Sequence, residues 1–200
     1  MEIKTISNKK ELSDLYNFFV QVFKEDAKEN NEKFYDMSNR YKEMEEQFDT
    51  DKDMIMYIEK DNHIIAGITG KNMQKDSITL SIIAVVKEER NKKLGKELIL
   101  EFEKRCKEKN IKSIDLGSRF RACPLYKKLN YSYALMVQVN DSNIDGIRNN
   151  NKYNLKEISS YQSNSYGYII YKVDDIKEEY IKCFEKIKAS YTQYIFKKEL

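Results

Sequence analysis

The stretch from Ile78 to Leu98 constrains this chain more than any other. A mostly β-branched apolar run, Ile78 to Val86, leads at once into a basic turn and then into an amphipathic helix. Leu94, Leu98, Phe102 and Cys106 recur four apart with Ile99 beside them, while Glu97, Glu101, Lys104 and Glu108 fall on the opposite face. Strand, short turn and helix start, in that order, is what a diphosphate site requires. The first turn of a helix carries backbone N–H groups without intrahelical partners, and the dipole there favours anions. From Arg90 to Lys96 the chain holds four basic side chains, a glycine and no acid. Basic residues at a helix N-terminus oppose its dipole, so a purely structural helix gains nothing by collecting them there. The plain alternative is an ordinary solvated helix start.

Around this unit the periodicity predicts a consistent order of elements. Ile3 to Ile6 is a short first strand, and Leu12, Leu15, Tyr16, Phe19, Val22 and Phe23 mark an amphipathic helix. A more charged helix is expected over Lys28 to Phe48, interrupted around Asp36 to Asn39. Met54 to Glu59 and His63 to Thr69 form a hairpin about Asp61-Asn62, and Lys75-Asp76 turns the chain into the strand Ile78 to Val86. After the central helix, Ile111 to Leu116 supplies a strand parallel to the one before it. Ala122 to Leu129 is a short helix ending at Asn130, a residue that tolerates a left-handed C′ position, and Tyr131 to Val139 is the next strand. The layout is α+β, with a mixed, mainly antiparallel central sheet flanked by helices.

Asp141 to Asn151 is polar, Asn-rich and without apolar periodicity, which makes it the expected boundary. Two domains are expected: a core over 1–140, and an α/β extension over 141–200 that completes the sheet or forms a small accessory subdomain. In the extension, strands are expected at Tyr153 to Ile158, Tyr166 to Val173 and Thr192 to Phe196, with a helix face at Ile176, Tyr180, Cys183, Phe184 and Ile187. No chemical role follows from this tail.

Composition removes several classes of function. The net charge of +3 is spread over 36 basic and 33 acidic residues, which is not the concentrated basic surface of a nucleic-acid binder. No apolar run approaches the length needed to span a bilayer, and Lys9, Lys10 and Glu11 follow Met1 too soon for a secretory segment. The expectation is a cytoplasmic protein with neither nucleic-acid nor membrane partner. Cys106, Cys123 and Cys183 are far apart and in no C-x-x-C spacing, so neither a disulfide framework nor a metal site is expected. His63, the only histidine, reads as decoration of a hairpin strand. Cys123 reads as a small apolar filler rather than a nucleophile.

With element order and turn together, the chain resembles the general-control-related N-acetyltransferase (GNAT) superfamily. That family's signature runs from a valine closing the fourth strand, through Pro-Glu, to Arg/Gln-x-x-Gly-x-Gly/Ala at the helix start. Val85, Glu88, Arg90, Leu94, Gly95 and Leu98 fall at matching spacings. A second landmark, a small residue followed by Leu-Tyr-x-x-Leu-Gly-Phe, appears as Ala122-Cys123-Pro124-Leu125-Tyr126-Lys127-Lys128-Leu129-Asn130-Tyr131. The resemblance covers Ile3 to Val139 in element order and is specific from Ile78 to Val139. Lys87 stands for the usual proline, Lys93 for the first glycine of the turn, and Asn130-Tyr131 for Gly-Phe. Glycine is normally chosen where φ is positive or a ligand approaches closely. If residue 93 is already helical the cost of its Cβ is small, and its ammonium adds attraction to phosphate.

The resemblance implies an acyl-CoA N-acyltransferase fold and acetyl transfer from acetyl-CoA, a cosubstrate, to a primary amine, with no metal. It assigns acetyl-CoA to the backbone of Ile83, Ala84 and Val85 and to the turn Arg90, Asn91, Lys92, Lys93, Leu94, Gly95 and Lys96. By the same analogy Tyr126 is the catalytic residue, a general acid toward the departing sulfur; the alternative is an aromatic that only packs a short helix. Glu59, Asp115 or a water chain could serve as base. The acceptor is left open between a small-molecule amine and the N-terminus or a lysine of a protein. Two readings from other classes stand beside this one: a CoA-binding regulatory module without turnover, suggested by Lys93, and an oligomerisation protein whose strand-like tail builds a homodimer.

Overall fold

The computed structural model describes residues 1–31, 34, 37–74, 76–140, 143–187 and 190–200. Residues 1–114 with 199–200 form one compact unit and 115–198 a second. This division falls ahead of the 140/141 boundary expected from the sequence.

In the first unit, strand β1 (Ile3–Thr5) leads into helix α1 (Lys9–Glu29). Asn8 caps α1 by accepting from the Glu11 N–H at 3.0 Å, and Glu11 reaches back to the Ser7 N–H at 2.7 Å, so two backbone donors are satisfied reciprocally. Helix α2 (Ser38–Asp51) follows, then β2 (Ile55–Lys60), β3 (His63–Gln74) and β4 (Ser77–Val85), and helix α3 (Leu94–Glu108). The second expected helix, Lys28 to Phe48, needs correcting. Lys28 belongs to α1, which stops at Asn30, where the side-chain amide bonds back to the Asp26 carbonyl. Asn31 then turns left-handed at φ 52°. Of the expected break, Asp36 lies outside the described residues, as does Lys75 of the expected turn before β4.

The four strands run β1-β2-β3-β4, each antiparallel to the next. Asp61 and Asn62 take φ of 51° and 61° at the β2–β3 turn, the left-handed pair a tight hairpin demands. Leu12, Leu15, Phe19 and Val22 of α1 pack on Ile55, Ile82 and Ala84. Two glycines of β3 let helices approach closely. A Cβ at Gly67 would lie 2.6 Å from Leu15 of α1, and one at Gly70 would lie 3.0 Å from Phe102 of α3. Fully buried Leu98, Ile99 and Phe102 fix α3, each side chain contributing about 1.5–3 kcal/mol by leaving water.

The second unit takes in most of β5 (Ser113–Ser118), then α4 (Cys123–Lys128), β6 (Ser132–Asn140), α5 (Ile144–Asn149), β7 (Lys156–Ser163), β8 (Tyr166–Lys172), α6 (Glu178–Phe184) and β9 (Tyr191–Glu199). Strand order is β5-β9-β6-β8-β7. β6 is antiparallel to both neighbours, with Leu135 opposite Tyr171 and Tyr194, and Tyr171 stacks on Phe184 of α6 with ring centroids 5.3 Å apart. The extension differs in detail from the sequence reading. The expected boundary contains α5, held by fully buried Ile147 and by Ile144 against Gly167; Asp141 and Ser142 lie outside the described residues. The strand expected over Tyr153 to Ile158 is β7, displaced toward 163, because this edge strand is exposed throughout and carries no alternation to fix its register. The tail strands β8 and β9 flank β6 and extend the sheet, one of the two forms expected of the extension.

Candidate active site

Along β4, buried and half-buried residues alternate, which places Ile82 and Ala84 in the core under α1 and leaves Ile83 and Val85 on the other face. Thr69 and Gly70 of β3 pair with Ile82 and Leu80, so Ser81 is an unmatched extra residue that bends the strand. Beyond this bulge Ile83, Ala84 and Val85 pair with Ile68, Gly67 and Ala66, and the Val86 N–H closes the ladder on the Ile65 carbonyl at 2.9 Å.

The turn then forms around Lys87–Glu89, Arg90 is extended, and Asn91 is left-handed at φ 64°. Lys93 caps α3 with φ 69° and ψ 2°. This residue is not helical. It occupies the left-handed conformation that the family's glycine adopts freely and that costs an L-residue about 1–2 kcal/mol. The first backbone bond of the helix is Glu97 N–H to Lys93 carbonyl, 3.0 Å, and no side chain caps the turn among the described residues. The amides of Leu94, Gly95 and Lys96 therefore open the helix without intrahelical partners. Leu94 is buried and anchors the turn, while Asn91, Lys92, Lys93 and Lys96 are exposed.

Charge around the turn is unevenly committed. Arg90 places Nη2 at 2.8 and 2.9 Å from the two carboxylate oxygens of Asp26, and donates from Nε to the Val85 carbonyl at 3.0 Å. Lys87 pairs with Glu29. Lys92 and Lys60 both reach the Glu89 carboxylate, at 2.9 and 3.0 Å, and their hydrogen bonds hold it below the usual carboxylate range. Lys93 and Lys96 form no ion pair among the described residues. Of the basic side chains expected to meet phosphate, these two keep their charge uncommitted. Asp26 is the residue that sequence reasoning missed: its pair spans 64 positions, and no local pattern announces it.

Tyr126 belongs to the second unit. It is buried, with ring centroids 5.7 Å from Tyr131 and 5.1 Å from Phe196. Burial pushes its phenol well above the ordinary tyrosine value, so the hydroxyl keeps its proton throughout the neutral range. The backbone locks it in place. Asn130 is left-handed at φ 62°, the Tyr131 N–H bonds the Tyr126 carbonyl at 3.1 Å, and the Asn130 N–H bonds that of Lys127. This is the double bond of a Schellman C-cap, the geometry expected of the Gly-Phe position.

The remaining candidate side chains each have a defined setting. Cys123 donates its S–H to the Arg119 carbonyl, and burial pushes its thiol up to about 11; Cys106 is pushed to about 12 by burial in the core. His63 sits exposed on the hairpin with Nδ1 2.7 Å from the Asp61 carbonyl. Glu59 accepts from Lys4 at 2.9 Å, and Asp115 is half-buried on β5. Two grooves of the first unit, about 430 and 520 Å³, are lined by neither Tyr126 nor any residue of 83–96.

This mainly antiparallel α+β chain, with a bulged fourth strand running into an uncapped helix, has the architecture of an acetyltransferase. Residues 22–147 match the family model of the acetyltransferase (GNAT) domain, and the chain belongs to that family. No curated protein matches it. Among solved structures, an acetyltransferase of the GNAT family from Staphylococcus aureus Mu50 is similar at TM-score 0.54 and 20% identity, covering 86% of this chain and 100% of that one. Ard1 from Thermoplasma volcanium gives 0.53 and 16% over 86% and 95%. The ribosomal-protein-alanine N-acetyltransferase from Brucella melitensis gives 0.53 and 15% over 86% and 98%. At these identities the likeness is one of fold: GNAT-like, with extra C-terminal elements.

Proposed function

We propose that this chain is an N-acetyltransferase that moves an acetyl group from acetyl-CoA to a primary amine by direct attack. The observation that carries the reading is the start of α3, where uncapped amides from Leu94 to Lys96 lie beside the two uncommitted ammonium groups of Lys93 and Lys96. Such a group of donors and charges fits a diphosphate. When bound, acetyl-CoA supplies the thioester whose carbonyl carbon accepts the amine.

In this reading the amides of Leu94, Gly95 and Lys96 hold the diphosphate, Asn91 and Lys92 shape the turn, and the backbone of Ile83, Ala84 and Val85 binds the pantetheine arm. The amine nitrogen forms the new C–N bond as the C–S bond breaks, and Tyr126 gives its proton to the departing sulfur. General-acid help of this kind is worth ~100- to 10,000-fold. The phenol carries its proton at neutral pH, as a proton donor must. Cys106 and Cys123, buried and with raised thiols, are poor nucleophiles, which supports attack without a covalent enzyme intermediate. Glu59 is engaged by the Lys4 ammonium at 2.9 Å. Fold alone does not choose the acceptor.

Titration calorimetry with CoA, followed by thiol release from acetyl-CoA across a panel of small amines and peptides, tests the proposal. Binding with turnover on at least one amine is expected. A chain that binds no CoA would refute it, and tight binding without turnover on any amine would point to a regulatory module.

A further inference from the structure

One guanidinium joins three segments of the first unit. Arg90 leaves the turn, folds back over the end of β4 to the Val85 carbonyl, and closes on both oxygens of Asp26 in the last turns of α1. Glu29 of the same helix end meets Lys87 on the other side of the turn. Carboxylates near a helix C-terminus oppose its dipole, so α1 gains nothing from Asp26 and Glu29 by itself. Their partners are in the turn. That turn also carries two non-glycine residues with positive φ, Asn91 at 64° and Lys93 at 69°, which persist only where surrounding structure holds them.

We infer that Asp26 is a positioning residue for the acyl-donor site, fixing Arg90 as a clamp on the phosphate turn rather than as a ligand of the phosphates. The inference rests on the proposed CoA site. With Nη2 committed to both Asp26 oxygens and Nε to Val85, two of its three nitrogens are engaged, and the adjacent Asp26 carboxylate repels an anion. Phosphate charge then comes from Lys93 and Lys96, and the clamp acts by keeping the Leu94–Lys96 amides in line with β4.

The two roles for Arg90 give opposite signs when Asp26 is removed. A clamp that loses its anchor lets the turn wander, so Asp26→Ala should weaken CoA binding by roughly three- to tenfold. A phosphate ligand released from its carboxylate would bind CoA more tightly instead. Calorimetry with CoA on the full chain reads the sign, with circular dichroism and a thermal melt confirming that each variant is folded. Arg90→Lys should lose as much affinity as Arg90→Ala, because an ammonium cannot hold Asp26 and Val85 together. The double variant Asp26→Ala/Arg90→Ala should be no weaker than Arg90→Ala alone. Should Asp26→Ala fail to fold, Asp26→Asn, which keeps the shape and loses the charge, carries the same sign test. Unchanged or tighter binding by the Asp26 variants, or wild-type affinity in Arg90→Lys, overturns the clamp while leaving the CoA site standing. Absence of CoA binding by the wild type overturns the site itself.

Discussion

Lys93→Gly should make the protein more stable and its cofactor site weaker at the same time. Lys93 holds φ 69° and ψ 2°, a conformation that costs an L-residue about 1–2 kcal/mol and glycine nearly nothing. Glycine returns about 0.5–1 kcal/mol of that through its greater freedom in the unfolded chain. The balance is a stabilisation of ~0.5–1 kcal/mol, or about 1–4 °C in the melting midpoint of a chain this long. The same change removes an exposed ammonium that no carboxylate engages among the described residues. At an exposed site that charge is worth about 0.2–1 kcal/mol toward a phosphate, so CoA affinity should fall roughly 1.4- to fivefold at low salt. Because screening shortens the Debye length from about 10 Å at 0.1 M to about 3 Å at 1 M, the loss should shrink in high salt. Urea melts and calorimetry at the two ionic strengths measure both halves. Lys93→Ala separates them, since it keeps the strain and loses the charge, and it should show the weaker binding without the gain in stability. A Gly variant that melts lower than wild type would refute the left-handed geometry, and one that binds CoA equally at both salts would refute the role of the ammonium.

Two further tests address Tyr126 and Glu89. Tyr126→Phe should cut turnover about 100-fold or more while CoA affinity stays within about twofold, as expected of a proton donor to the leaving sulfur; unchanged turnover would reduce Tyr126 to a partner of Tyr131 and Phe196. Glu89 is held below its ordinary range by Lys92 and Lys60, so its stabilising contribution is present above the unfolded carboxylate pKa and is lost as pH falls through the lower folded value. Urea midpoints of Glu89→Gln and wild type should therefore differ at pH 7 and converge once the pH falls below the lowered folded value. A difference that persists in acid would contradict the ion-pair account.

What could be read from the sequence was local and periodic. The β-branched apolar run of β4, the four-residue recurrence of Leu94, Leu98 and Phe102, and the Asp61-Asn62 turn depend on neighbours within a few positions, and each appears in the structure. Asn130 was legible for the same reason, since few residues tolerate its φ. The pairing of Arg90 with Asp26 was not. Its type and spacing match a phosphate turn, and its guanidinium meets a carboxylate 64 positions away, a contact about which spacing holds no information. Helix α5 has only Ile144 and Ile147 to advertise it, less than two turns of pattern. β7 has no buried face, so a strand was legible there but nothing in its residues fixes its register or its bounds. The conformation of Lys93 was hidden because lysine is an ordinary helix former, and only the family's glycine hinted that the position is left-handed.

The place of β9 bears on how the second unit is made. Every other strand of its sheet emerges from the ribosome before Tyr191, yet β5 and β6 meet only through the strand that comes last. Until Glu199 has been synthesised, Ser132–Asn140 presents a bare ladder of amides and carbonyls on one side, open to any other extended chain. A nascent or nicked chain lacking 191–199 therefore keeps an open edge along β6, a template for pairing with another extended segment.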